Sequence, residues 1–100
     1  MNMIAKSFEQ QAGNILSVLG NPFRVRLVLA LWAQEACVCH LEALLKKRQA
    51  YISQHLMALR EAGMLETRRD GKFVYYRLAN PEIVELIMTA GEIAGLDRRQ

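Results

Sequence analysis

Two short apolar patterns of helical period, separated by only three residues, constrain this chain more than any other feature. Leu41, Leu44 and Leu45 point inward from a short helix read from about Val38 to Lys47. Arg48, Gln49 and Ala50 form the connection. Ile52, Leu56 and Leu59, spaced i, i+4, i+7, are the inward stripe of the next helix, which stops at Gly63. Two short helices joined by a tight turn are the helix-turn-helix signature.

Beyond Gly63 the period changes from 3.6 to 2. Leu65 to Arg69 leads into Asp70-Gly71, a strong hairpin signal, and Lys72 to Leu78 returns as a β-branched and aromatic strand. A two-stranded hairpin is marginal alone and must lean on the helices. Upstream, Ile4, Phe8, Ala12, Ile15, Leu16 and Leu19 have helical spacing, and Gly20 ends that helix. Asn21 caps a second helix with Pro22 at its first position, where no amide proton is needed. Phe23, Val25, Leu27, Val28, Leu29, Leu31 and Trp32 crowd it on nearly every side, which predicts burial in the middle of the domain. Asn80-Pro81 caps a last helix carrying Ile83, Val84, Leu86, Ile87, Met88, Ala90, Ile93 and Ala94. The expected fold is mostly α with a β-hairpin wing: a single winged helix-turn-helix domain over residues 1–100, in the order α-α-α-α-β-β-α. Its first and last helices are more apolar than a monomer of 100 residues needs, so the terminal helices are expected to form a homodimer interface.

Several classes are excluded. A chain 52% hydrophobic and 23% charged is neither disordered nor collagen-like, and two cysteines cannot build a dense disulfide framework. The start, MNMIAKSFEQQAG, lacks a basic segment followed by an unbroken apolar one, so no signal peptide is read. Asn21, Pro22, Arg24 and Arg26 interrupt the greasiest stretch, which argues against a membrane span. A cytoplasmic protein is expected. Paired carboxylates, a Ser/His/Asp set and a phosphate loop are not found, so no enzyme is expected.

The net charge of +3 is modest, but its placement is informative. Between Ala36 and Leu78 lie eight cations (Lys46, Lys47, Arg48, Arg60, Arg68, Arg69, Lys72 and Arg77) and four anions, whereas the remainder has five cations and six anions. Double-stranded DNA would use that segment; a solvated basic face is the plainer alternative. Arg68, Arg69 and Lys72 flank the hairpin turn, where they can meet phosphates or protect a strand edge. Gln54 can pair bidentately with adenine, and Ser53 and His55 can reach base edges or phosphates. Tyr51 can stack on a sugar, meet a thymine methyl, or pack between helices. Cys37 and Cys39 are too close for a comfortable disulfide with each other. Two thiolates at this spacing near a helix start are placed to grip one soft ion; two small buried hydrophobes are the plainer reading.

Asn21-Pro-Phe-Arg-Val-Arg-Leu, Cys37-Val-Cys-His-Leu, Ile52-Ser-Gln-His-Leu-Met-Ala-Leu-Arg-Glu-Ala-Gly-Met-Leu and Asp70-Gly-Lys-Phe-Val-Tyr-Tyr-Arg-Leu resemble the ArsR/SmtB family in unbroken order over roughly residues 15 to 90. The resemblance implies a homodimeric repressor that leaves its operator when a metal or metalloid binds. It places Gln49, Ala50, Ser53, Gln54 and His55 toward the major groove. Arg48 stands where the family often has Ser, exchanging a helix cap for a phosphate contact. Cys37-Val-Cys39 followed by His40 looks like the family's sensor for arsenic, cadmium and lead, which implies As(III), Cd(II) or Pb(II) as the ion. Glu42 stands where a third Cys often follows, so His40 is the candidate third ligand. The family's second site, Asp and His between the last helices, is not matched by Asn80, Glu82, Ile93 and Leu96. Oxidation or persulfidation of the same thiols is the alternative trigger. A winged-helix interaction module that no longer reads DNA is the alternative class.

Overall fold

A computed structural model describes residues 7–97, so the expected contribution of Ile4 lies outside the described residues. The elements are α1 Phe8–Leu19, α2 Pro22–Ala33, α3 Val38–Leu45, α4 Gln49–Glu61, β1 Leu65–Asp70, β2 Phe73–Leu78 and α5 Glu82–Ile93. Their order is the expected one.

Local chemistry explains where the helices start. The Ser7 hydroxyl accepts from the Gln10 amide at 3.1 Å, and the Gln10 side chain accepts from the Ser7 amide at 3.0 Å, a reciprocal box that closes α1. Asn21 Oδ1 accepts from the Phe23 and Arg24 amides at 2.8 and 3.1 Å, ahead of Pro22 at the first turn of α2. Asn80 Oδ1 accepts from the Glu82 amide at 2.8 Å and opens α5.

Helix α2 packs against α1, α4, α5 and β2, and Leu27, Val28, Ile52, Leu56 and Leu59 are wholly enclosed. Each such side chain contributes roughly 1.5–3 kcal/mol by leaving water. Burial of α2 is nevertheless one-sided, contrary to the expectation of a helix covered all round. Trp32 is 57% exposed and Arg26 faces solvent. Leu44 is likewise outward, 61% exposed, because an eight-residue helix lays down only the i, i+4 stripe of Leu41 and Leu45.

The turn of the helix-turn-helix keeps its three residues but sits two positions earlier. Lys46 adopts a left-handed conformation (φ 57°) and donates its amide to Glu42, which ends α3 at Leu45. Lys46, Lys47 and Arg48 then make the connection, and Gln49 and Ala50 join α4. In the hairpin, Leu65 pairs with Leu78 and Asp70 with Phe73, which leaves Gly71-Lys72 as the loop. Gly71 carries the positive φ of 63°, which glycine takes without penalty. Strand β2 also pairs briefly with Ala36: Ala36 N–H donates to Tyr76 O at 3.1 Å and Tyr76 N–H to Ala36 O at 2.8 Å. That bridge moors the wing to the residue preceding Cys37. Among the described residues, no single helix is long and apolar enough to cross a membrane.

Candidate functional site

Helix α4 buries Ile52, Leu56 and Leu59 and turns the opposite face outward. Arg48, Gln49, Ala50 and Gln54 are exposed, and Ser53 is half-buried beside them. Met57, 60% exposed, extends the same face one turn further. Its place three residues beyond Gln54 is the sequence signal for it. Tyr51 stands at the edge, 41% exposed, its ring 4.9 Å from Phe23 and 4.7 Å from His55. It packs between helices and still shows an edge to solvent, where Lys47 Nζ lies 5.5 Å from the ring.

His55 departs from the outward set. It is only 7% exposed, and its Nδ1 accepts from Arg24 Nε at 3.0 Å. That bond requires Nδ1 to be unprotonated. Burial, and secondarily the Arg24 cation, push the His55 pKa below the ordinary histidine value. Arg24 also donates to the Val18 carbonyl at 3.2 Å, so one guanidinium ties α1 to α2 and α2 to α4. His55 follows Gln54 by 100° around the helix, which brings it onto the Phe23 ring at 5.3 Å rather than to the exposed face. Its role is to anchor α4.

The wing tip carries Arg69 and Lys72, both exposed, with Lys72 Nζ 5.9 Å from the exposed Phe73 ring. Arg68 was expected to join them and instead turns to the body. Its guanidinium is bonded to the Glu35 carboxylate and stacks 4.7 Å above Tyr75. The Arg68 hydrogen bond holds the Glu35 carboxyl below the usual carboxylate range. A charge already paired offers less to phosphate than the free Arg69 beside it.

Cys37 and Cys39 are joined as a disulfide, which corrects the expectation that residues two apart are too close. Cys37 is the N-cap of α3 with extended backbone (ψ 169°), while Cys39 is already helical; this opens the Cα–Cα span to 5.5 Å, inside the usual disulfide range. Cys37 is buried, and Cys39 and His40 are exposed. The sulfurs and a His40 ring nitrogen lie within 4.8 Å of one another, so His40, despite being the next residue along the helix, shares the site. Reduced, this is a donor set of two thiolates and an imidazole with the softness and proximity to hold one thiophilic ion. Oxidised, the sulfurs cannot act as thiolate ligands. The two states exclude each other.

The profile of the bacterial regulatory protein arsR family matches residues 21–67, which spans the helix-turn-helix and the start of the wing. A transcriptional repressor SmtB homolog of Synechocystis is 40% identical over 77 residues, covering 77% of this chain and 58% of that protein. An arsenic resistance transcriptional regulator of Pseudomonas putida is 42% identical over 74 residues, 73% of this chain and 57% of the other. The chain thus spans less than two thirds of the length of these two relatives. The crystal structure of the transcriptional repressor BigR from Xylella fastidiosa superposes with a TM-score of 0.70 at 36% identity, over 84% of this chain and 83% of that one.

Proposed function

The chain belongs to the ArsR/SmtB family of winged-helix transcriptional regulators, not of enzymes, and on that premise we propose that it is a homodimeric, cytoplasmic repressor of double-stranded operator DNA, released by a soft ion at Cys37, Cys39 and His40. The observation that carries this reading is the convergence of those three side chains within 4.8 Å at the start of α3, one short helix ahead of α4. Thiolate softness favours As(III), Cd(II) or Pb(II) over oxygen-seeking magnesium or calcium. The likeness to an arsenic resistance regulator supports the same choice.

On the DNA side, Gln49, Ala50, Ser53, Gln54 and Met57 present the reading face, with Tyr51 at its edge. Gln54 supplies the bidentate amide suited to adenine, and Met57 an apolar contact suited to a thymine methyl. Arg48, Arg69 and Lys72 contribute phosphate contacts, which set position and salt dependence but carry no sequence information. For the dimer, Leu16 of α1, Ile93 of α5 and Leu96 just after it are exposed at 57%, 83% and 59%, an apolar surface suited to a second copy of the chain.

The experiment is a titration of the reduced protein with Cd(II), followed by thiolate-to-metal absorption, beside gel shifts on a duplex selected from a random pool. Band and release should appear together, and Cys37→Ser with Cys39→Ser should abolish both while leaving basal binding intact. Gln54→Ala should weaken binding by roughly 1–3 kcal/mol and relax preference at one base pair. Release by Cd(II) from the double serine variant would refute the sensor assignment.

The disulfide favours a second reading, a thiol redox response. Two thiols and one hydrogen peroxide give one disulfide and two waters, the thiols losing two electrons and two protons. Peroxide would then release DNA where Cd(II) does not.

A further inference from the structure

We propose that Glu35 is the positioning residue through which the Cys37–Cys39–His40 site acts on the wing; this rests on the sensor reading above. Residues 35–40 meet the hairpin at three places. Glu35 holds Arg68 of β1, Ala36 exchanges two backbone hydrogen bonds with Tyr76 of β2, and His40 faces Tyr75 with ring centroids 6.4 Å apart. Arg68 in turn lies over Tyr75. Glu35–Arg68, Arg68–Tyr75 and Tyr75–His40 are therefore successive contacts, which the backbone from 35 to 40 closes into a ring beside the Ala36–Tyr76 bridge. Two of the candidate ion ligands belong to it, His40 directly and Cys37 as the residue after Ala36.

Arg68 is shared between two carboxylates, one nitrogen of its guanidinium on each. Besides Glu35 on the body it has a second carboxylate, Asp70, at 3.9 Å on its own strand. Paired with Glu35, it fastens the wing to the segment that carries the thiols. Paired with Asp70 alone, it would be a charge neutralised within the wing, leaving the backbone bridge and the packing of Leu65, Tyr76 and Leu78 to hold the hairpin. An ion that fixes His40 against Cys37 acts on Tyr75, the ring that Arg68 also contacts, and shifts the balance of Arg68 between the two carboxylates. Coupling between separate sites needs such an element, whose arrangements both sites bias. Both carboxylates and the guanidinium are partly exposed, so the exchange costs little desolvation.

The test compares wild type, Glu35→Gln, Arg68→Gln and the double variant. Each is titrated with Cd(II) by absorption, and its affinity for the selected duplex is measured with and without the ion. In the wild type Cd(II) should weaken DNA binding roughly 5–150-fold. Glu35→Gln should bind Cd(II) as the wild type does yet lose most of that weakening, and the double variant should lose no more than either single change. In the metal-free reduced protein, Glu35→Gln should also accelerate amide exchange at Tyr76 while leaving Leu56 unchanged. Full weakening in Glu35→Gln, additive losses in the double variant, or unchanged exchange at Tyr76 would each overturn the relay and leave the sensor reading standing. A wild type that shows the absorption band but no weakening overturns both.

Discussion

At residue scale, the half-buried Arg24 and buried His55 tie α2 to α4. His55 is pushed below its ordinary value, so protons bind the unfolded chain in preference to the folded one. Stability is then complete above the ordinary histidine pKa of about 6.5, falls as pH drops through it, and levels off below the lowered folded value. Denaturant melts between about pH 7.5 and 5 should show this decline, and His55→Gln should flatten it. A wild-type midpoint that does not move over the range would show that the Arg24–His55 bond contributes no proton linkage. The outward set of α4 was legible from the sequence because i, i+4, i+7 periodicity assigns faces. His55 was not, because its burial depends on Arg24 and Phe23, more than thirty residues away. The Glu35–Arg68 pair is hidden from the sequence for the same reason: position beside a turn says nothing of a Glu35 brought near only by the fold.

At element scale, α4 begins at Gln49 behind Arg48, whose side chain makes no capping bond. Arg48→Ser should supply one and stabilise the helix start by about 0.5–2 kcal/mol. The unfolding midpoint should rise by roughly 4–8 °C per kcal/mol for a domain of this size. The same change removes a cation, so the slope of log affinity against log salt should fall by about one. A lower midpoint would mean that the serine fails to reach the amides of α4; an unchanged salt slope would remove Arg48 from the DNA contacts. The sequence placed the turn two residues late because a left-handed Lys46 has no signature of its own, glycine or asparagine being the usual residues there. Period-2 alternation made the hairpin easier to place, but the Asp70-Gly71 pair set its turn one residue early: Asp70 pairs with Phe73, and the loop is Gly71-Lys72.

At the scale of the whole molecule, an apolar groove runs between α1, α2 and α5. Its volume is about 660 Å³, and its walls include Leu16, Val25, Leu86, Ala90 and Leu96. Leu16→Glu is the discriminating substitution, because Leu16 is 57% exposed and its loss leaves the core of one chain untouched. A carboxylate buried without a partner at a dimer seam costs on the order of several kcal/mol. The variant should therefore sediment as a monomer with an unaltered circular dichroism spectrum. A variant that still sediments as a dimer would move the seam elsewhere, and a wild type that is monomeric at micromolar concentration would remove it. The surplus of apolar residues in the first and last helices was visible in the sequence. The groove was not, because it takes three helices from opposite ends of the chain to make its walls.

The bridge between Ala36 and Tyr76 also has a consequence in time. It joins residues 40 positions apart, whereas β1 and β2 meet across a two-residue loop. Closing the longer span costs more chain entropy, so the hairpin is expected to form ahead of the bridge. On that order a refolding chain should leave both sulfurs open to a thiol reagent until the bridge docks, whereas the finished fold encloses Cys37 and leaves Cys39 open.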